Sequence, residues 1–486
     1  MKKKSTALAL ILAAAMTIGM LTGCGASYDY ITGDVDWNST YTSDKTINDT
    51  FYYSDDWFSG KPESQNDELA LASMQLIASG ITNEDNGYGA SFLRSMGFNE
   101  IGFVNWDNKS ADTCRYMWGR KTVSGSKGDY TLVAVVIQNY ALDRKSRLKN
   151  WRQNFTANDP DASEPAGEHY AYSKAVDSIV DGVAELANTD SVKFWITGQS
   201  RGGAIANILS ARLPEKLGDK NAGIFAYTFE SPATVDAEAA GNFGYIHNYV
   251  CSDDLVTMIP MWGMTRYGVM HDLKTKKTDE GLEAELLSMG SDAADLKPRI
   301  VAETEATRLV EKLAARVPSR ADYSALRTAE YVDEDWETHK VVFSYQEAGL
   351  ALMDVIFKGG KDNPIRNLAG KKDGLNSMVA WLADGISLEN EGKDPSEKYW
   401  EGTKILYGLL EEVCDDGKVP VDEEDLFKIV YLAAPVLVDL PEDGSGEPSM
   451  ELLVDLVGYF EEMSYSHQFD TLIARLKVLA PAPDAK

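Results

Sequence analysis

Lys193-Phe194-Trp195-Ile196-Thr197 is an apolar, β-prone run. It enters the turn Gly198-Gln199-Ser200-Arg201-Gly202-Gly203 and leaves into an alanine-rich helical pattern, Ala204-Ile205-Ala206. A Gly-x-Ser-x-Gly turn flanked in this way has the pattern of a nucleophile elbow, a sharp strand-to-helix bend that presents a serine hydroxyl to a cleft. Gly198 and Gly202 keep side chains out of the crowded bend. The helix that follows directs its N-terminal amides and positive dipole end at the spot where an oxyanion would form. Without the strand and helix the pattern is an ordinary tight turn; with them, Ser200 is the candidate nucleophile.

The surrounding chain alternates. Tyr130 to Ile137 is a continuous apolar run, as expected of a strand buried on both faces. Tyr172 to Ala187 is amphipathic, with Ala175, Ile179, Val180, Val183 and Leu186 on one side. Phe194 to Thr197 then predicts a strand, Ala204 to Leu213 a helix, and Gly223 to Phe229 and Tyr245 to Val250 two further strands. Strands alternating with helices at this spacing imply a mostly parallel sheet with right-handed crossovers. Upstream, helices are expected at Glu68 to Ser79 and Ser91 to Met96, and a strand at Ile101 to Val104.

After about Thr275 the patterns become helical, with charged connections, for example Glu347 to Lys358, Asn376 to Ile386, Tyr399 to Val413 and Glu424 to Val438. Residues 61–275 are therefore read as the α/β core, 276–455 as a helical insertion or cap, and 456–486 as a return to the core. Apolar stripes in the insertion, such as Met378, Ala380 and Leu382, are expected to form its own core. Residues 24–60, rich in Ser, Thr, Asp and aromatics, are read as a polar tether.

Residues 1–23 have the form of a secretion signal: a basic Lys2-Lys3-Lys4, then an apolar stretch from Ala7 to Met20 that is too short to span a bilayer. The stretch ends in Leu21-Thr22-Gly23-Cys24, which resembles a bacterial lipobox. Cys24 is expected to carry lipid and to tether the chain outside the cytoplasm, at the bacterial cell membrane. The formal charge of −29 opposes contact with nucleic acid and suits solubility outside the cell. Cys114, Cys251 and Cys414 are far apart and odd in number, so buried free thiols are expected rather than a disulfide framework. Nothing has the spacing of a zinc site.

A serine needs a base oriented by a carboxylate. Tyr249 to Pro260 reads as a strand running into an acidic turn, Asp253-Asp254, at the carboxyl end of the sheet; chemistry alone leaves the choice between the two open. The chain has five histidines. His467, in Met463-Ser464-Tyr465-Ser466-His467-Gln468, gives the order Ser, Asp, His; His271, close behind Asp254, is the second candidate.

Four segments resemble, in order, the class 3 lipase family, fungal-type triacylglycerol lipases and their bacterial relatives. Val133 to Tyr140 with Asn150-Trp151 resembles the oxyanion strand and loop. His169-Tyr170-Ala171-Tyr172 resembles the short motif opening the helix before the elbow. Thr197 to Ala206 resembles the elbow. Thr228-Phe229-Glu230-Ser231-Pro232, followed by Asp254-Leu255-Val256 and Pro260, resembles the acid strand. The resemblance covers about residues 100 to 275 and the piece around His467.

It implies an α/β-hydrolase fold with a mostly parallel central sheet flanked by helices, and a large, mainly helical insertion between the acid strand and the histidine. It implies a serine ester hydrolase acting on an ester or lipid, without metal or organic cofactor. The residues carried over are Ser200 as nucleophile, Asp254 as acid, His467 as base, and the amides of Arg201 and Tyr140 as oxyanion donors. His169 becomes a structural brace, and His271 a family histidine near the acid that is not the base.

The chain also departs from the family. Gln199 stands where histidine is usual. Arg201 stands where an apolar residue is usual, a cation expected to favour an anionic substrate or to pair with an acid of the insertion. Gln138-Asn139-Tyr140 replaces the usual Arg-Gly-Thr/Ser turn. That last change motivates a second reading, a catalytically weak or silent lipoprotein that binds a ligand in its pocket; a third reading is a serine peptidase or acyltransferase on the same triad.

Overall fold

The computed structural model describes residues 28–39, 45–80, 87–106, 110, 112–125, 128–138, 144–159, 161–162, 167–260, 263–291, 303–333, 335–358, 364–368, 370–440, 448–449 and 465–483. Cys24 and the expected signal segment lie outside them, as do Asn139 and Tyr140.

The centre is a seven-stranded sheet. Its members are β3 (Glu100–Val104), β4 (Arg115–Gly125), β5 (Gly128–Gln138), β6 (Val192–Gln199), β7 (Asn221–Phe229), β9 (Ile246–Val250) and β11 (Val269–Asp272), in the spatial order β11-β9-β7-β6-β5-β4-β3. The five strands from β5 to β11 are parallel; β4 and β3 add antiparallel pairs at one edge. The two-residue strands β8 (Val235–Asp236) and β10 (Met264–Thr265) pair beside it.

Alternation sorts the side chains to two faces. Val133, Val135, Ile137, Phe194 and Ile196 pack under the helices Tyr170–Asp177, Val180–Ala184 and Arg201–Leu217. Leu132, Ala134, Val136, Trp195, Tyr227 and Tyr249 pack on the other side with the helices Asp67–Gly80, Lys276–Ser288 and Phe469–Leu479. Both layers hide apolar side chains, so β5 and β6 read as unbroken apolar runs. This is an α/β-hydrolase fold.

Three features differ from expectation. The segment read as a tether is a hairpin, β1 (Ile31–Asn38) paired antiparallel with β2 (Thr46–Tyr53). Its apolar residues fall at every second position, so Val35, Trp37, Ile47, Phe51 and Tyr53 are buried in the core despite a polar average composition. The second difference is β4, absent from the sequence reading because Arg115, Arg120 and Lys121 interrupt it. Lys121 is nonetheless buried: Nζ donates to the Met96 carbonyl at 2.6 Å and pairs with Asp55 at 2.5 Å.

Third, the helix Lys276–Ser288 is part of the core rather than the start of the insertion. Thr275 and Thr278 close it with a reciprocal capping box, and Leu282, Leu286 and Met289 pack with Leu472, Ile473 and Leu476. The two helices approach so closely that a Cβ at Gly281 would lie 2.6 Å from Val478 Cγ2.

Among the described residues, the helix Glu303–Arg316 is the first of the insertion, which has its own apolar core. The helices Tyr345–Lys358, Lys372–Asn390, Ser396–Val413 and Glu423–Leu437 enclose it, together with a hairpin of β12 (Arg327–Val332) and β13 (Thr338–Phe343). Met378 and Leu382 are buried there, while Ala380 is exposed. Among the described residues, no helix is long and apolar enough to cross a membrane. Cys114, Cys251 and Cys414 are buried free thiols.

Candidate active site

Ser200 stands between β6 and the helix Arg201–Leu217 with φ 58° and ψ −132°. A non-glycine residue reaches this region only when its surroundings over-determine it. Here the Ser200 amide donates to the Phe229 carbonyl at 2.9 Å, and the Ser200 carbonyl accepts from the Ala204 amide at 3.0 Å. A Cβ at Gly198 would run into the Gly202 carbonyl, and one at Gly203 would lie 3.1 Å from the carbonyls of Gly198 and Phe229. The glycines are therefore demanded by close packing of turn against strand. Ser200 retains 7% exposure.

Asp254 follows β9, fully buried, and caps the short helix Leu255–Met258. Its Oδ1 accepts from the Val256 amide at 2.9 Å, and its Oδ2 meets His467 Nδ1 at 2.6 Å. His467 arrives from the far end of the chain, just before the helix Phe469–Leu479, and its side chain keeps 22% exposure. Asp253 turns the other way and pairs with Lys274 at 2.7 Å. The fold thus brings His467 and Asp254 together across 213 residues, and Gln199 ties them to the serine: its Nε2 donates to the His467 carbonyl at 3.0 Å.

The other histidines are occupied elsewhere. His271 lies on β11, stacked on Tyr249 and bonded through Nε2 to His247 Nδ1 at 3.0 Å. Burial, with His247 beside it, pulls its value down to about 4. His169 is fully buried, stacks on Tyr172 and bonds the Asn154 carbonyl at 3.2 Å; burial lowers its value to about 3, so the ring is neutral.

Arg201 opens the elbow helix, but its guanidinium is buried. Nε bonds Gln153 Oε1, and Nη2 donates to the Thr113 carbonyl at 3.2 Å. These partners belong to the hydrolase body. Arg201 ties the elbow to the segment just ahead of β4 and to the helix Arg144–Phe155. Of the unusual oxyanion turn, Gln138 is described, as a buried residue ending β5.

Two further residues of the site were missed by sequence reasoning. In the sequence Gln199 reads only as a change of residue type. Glu230 was seen only as part of a strand end, yet it is fully buried and its Oε1 accepts from the Cys251 amide at 2.8 Å. Burial, then the charge of Asp254 and its hydrogen bond, hold the Glu230 carboxyl well above the usual carboxylate range.

Asp333, Glu337 and His339 are the group among the described residues whose ligand atoms gather within 4.8 Å. They sit at the β12–β13 hairpin. Asp333 Oδ1 is already engaged by the amides of Asp335 and Glu337, and its Oδ2 by His339, bonds that account for the cluster as a turn cap.

With strand order, elbow and acid strand in place, the chain is an α/β-hydrolase-fold protein. More particularly, residues 137–264 match the family described as Lipase (class 3). The matched span runs from the end of β5 through the elbow and Asp254. Among solved structures, the chain is similar to a triacylglycerol lipase whose catalytic centre is described as a serine protease triad. That match has 17% identity, covers 44% of this chain and 82% of the other, and has a TM-score of 0.32. It is similar also to the Rhizomucor miehei triacylglyceride lipase, with 18% identity, 43% and 80% coverage and a TM-score of 0.32. For a structure described as M37 lipase the values are 15%, 51% and 80%, and 0.28. No curated protein matches the chain.

Proposed function

We propose that this protein is a serine ester hydrolase of lipase or esterase type, with Ser200 as nucleophile, His467 as base and Asp254 as the orienting acid. The observation that carries the reading is the contact of buried Asp254 with His467 at 2.6 Å, tied by Gln199 to a serine in elbow geometry. The class 3 lipase match over residues 137–264 supports an ester or lipid substrate.

In this mechanism His467 Nδ1 donates to Asp254, which leaves Nε2 as the basic nitrogen. Nε2 takes the proton of Ser200 as Oγ attacks the ester carbonyl. The Arg201 amide, at the N-terminus of its helix, and the Tyr140 amide receive the oxyanion. His467 then passes the proton to the leaving alcohol. Water repeats the sequence on the acyl-enzyme and restores Ser200.

The N-terminal pattern extends the proposal to location: Cys24 is lipidated, and the enzyme works outside the cytoplasm, tethered to the cell membrane. Incorporation of labelled palmitate into the wild type, lost in Cys24→Ser, tests that part.

The chemistry is tested with p-nitrophenyl esters from acetyl to palmitoyl, using wild type, Ser200→Ala and His467→Ala. Both variants should fall to background, since removing a triad member costs ~10⁴-fold or more in kcat. Activity persisting in His467→Ala would move the base elsewhere. An inert wild type that also fails to take up a fluorophosphonate on Ser200 would put the ligand-binding reading in front.

A further inference from the structure

Glu230 is a carboxyl that the mechanism leaves unused, and its setting is unusual three times over. It is a non-glycine residue in left-handed backbone, φ 43°, directly after β7. That conformation is unfavourable for a side-chain-bearing residue, so something over-determines it. One part is its amide, which donates to the Tyr249 carbonyl at 2.9 Å.

It is also fully buried; its Oε1 accepts from the Cys251 amide at 2.8 Å, and no N–H donor among the described groups reaches Oε2. Finally, it faces the turn that carries Asp254: the Cys251 amide bonds Glu230 Oε1, the Cys251 carbonyl accepts from the Asp254 amide at 3.0 Å, and Asp254 is itself fully buried.

Two buried carboxyls in contact do not both ionise. The donors decide which one keeps the proton. Asp254 has two N–H donors, Val256 N and His467 Nδ1; Glu230 has one N–H donor, the Cys251 amide, and beside it only the weakly donating Cys251 thiol. The other titratable groups facing Glu230 are the Cys251 thiol, pushed up by burial, and the Arg266 guanidinium. Arg266 directs its bonds to the carbonyls of Ser231 and Thr257. Asp253 and Arg475 stand behind Cys251.

We propose that Glu230 is the proton-bearing member of a carboxyl pair with Asp254, and that its Oε2–H donates a hydrogen bond that positions the Asp254 carboxylate for His467. Glu230 is a positioning residue, acting through Asp254, and the proposal rests on the triad reading above. The proton stays on Glu230 throughout turnover. Its donation holds Asp254 against rotation when His467 becomes cationic.

The test compares wild type, Glu230→Leu, Glu230→Gln and Ser200→Ala. Leucine fills similar space without a donor, and glutamine restores a neutral donor. Glu230→Leu should lose ~10–100-fold in kcat and in the rate of fluorophosphonate labelling at unchanged KM, the size seen when a group orienting a functional residue is removed. Glu230→Gln should recover most of that loss. Wild-type activity should fall at alkaline pH as Glu230 ionises and the donor is lost, whereas the glutamine variant should lack that limb. In infrared spectra at neutral pH, a protonated-carboxyl C=O band should vanish in Glu230→Gln, a readout that stands even if the leucine variant does not fold.

Equal activity in all three Glu230 proteins overturns the positioning role. An equal fall in Gln and Leu, or absence of the band, shows that a charge rather than a proton matters and overturns it too. Activity surviving in Ser200→Ala fails the triad reading itself, separately.

Discussion

Gln199 Nε2 donates to the His467 carbonyl at 3.0 Å, so the residue before the serine holds the backbone of the proposed base. Glutamine is long enough to reach from the elbow to the loop ahead of the helix Phe469–Leu479, and its amide is neutral at every working pH. Removing it leaves the Ser200 bend intact but frees the histidine loop. Gln199→Leu should therefore lower kcat about tenfold or more with little change in KM, the mark of lost alignment at the reacting groups; steady-state kinetics on a short-chain ester read this directly. The raised Glu230 value adds a stability signature. A folded-state value above the unfolded one contributes stability below the ordinary carboxylate range, and that contribution is lost as pH rises toward the folded value. Glu230→Gln should flatten that slope. Ser200 was legible because glycines at fixed offsets announce a crowded bend. Asp253 and Asp254 were not separable by chemistry, being adjacent and alike. Burial separates them, with Asp254 turned to His467 and Asp253 to Lys274. Glu230 was illegible for the same reason: residue type does not state depth.

Among the elements, the first hairpin departs furthest from its composition. β1 and β2 carry Asp, Asn and Thr on one face, and an average over the segment reads as polar. The opposite face supplies Trp37, Phe51 and Tyr53, all essentially without solvent contact. Trp37 Nε1 also donates to Asp470 at 3.1 Å, and Ser39 and Ser291 close on the same carboxylate at 2.8 Å and 2.5 Å. The hairpin thereby joins the helix Phe469–Leu479, which carries His467 at its threshold. A tether could be shortened without consequence; this element cannot. Trp37→Ala should destabilise by about 3–5 kcal/mol, read as a drop in the urea midpoint, and deletion of residues 25–53 should abolish soluble expression. The parallel strands were legible because burial on both faces leaves an uninterrupted apolar run. β4 was not, because Lys121 is buried yet satisfied by Met96 and Asp55, and a period-2 pattern with charges in it looks like a loop.

At the scale of the molecule, the insertion has an apolar core distinct from the two layers on the sheet, and buried polar contacts fasten it to the body beside apolar ones such as Phe155 against Gly349. Arg320 is the principal fastening. Its side chain is 5% exposed and reaches across to Asn158 Oδ1 at 3.0 Å, Asp236 Oδ1 at 2.8 Å, and the carbonyls of Ala157 and Glu168 at 2.8 Å and 3.2 Å. Asn158 answers by donating to the Arg320 carbonyl at 2.7 Å, and Arg152 pairs with Asp354 at 2.8 Å nearby. Removing the guanidinium strips partners from Asn158 and the two carbonyls, at a cost of ~1–3 kcal/mol for each buried acceptor left unmet, while Asp236, 36% exposed, regains water. Since each side keeps its own core, that cost falls on docking rather than on folding of either part. Arg320→Ala should therefore leave the circular dichroism spectrum close to wild type while making residues 303–440 more open to limited proteolysis and splitting the urea transition in two. Arg320→Lys should not restore the wild-type pattern, because an ammonium cannot serve four acceptors in the planar fork of a guanidinium. A single unshifted transition in Arg320→Ala would mean that the apolar contacts between insertion and body hold without it. If the docked insertion shapes the acyl site, the undocked variant should also lose discrimination between acetyl and palmitoyl esters while Ser200 still takes up a fluorophosphonate at the wild-type rate. That pairing of readouts separates a cap that selects substrate from one that merely covers the body.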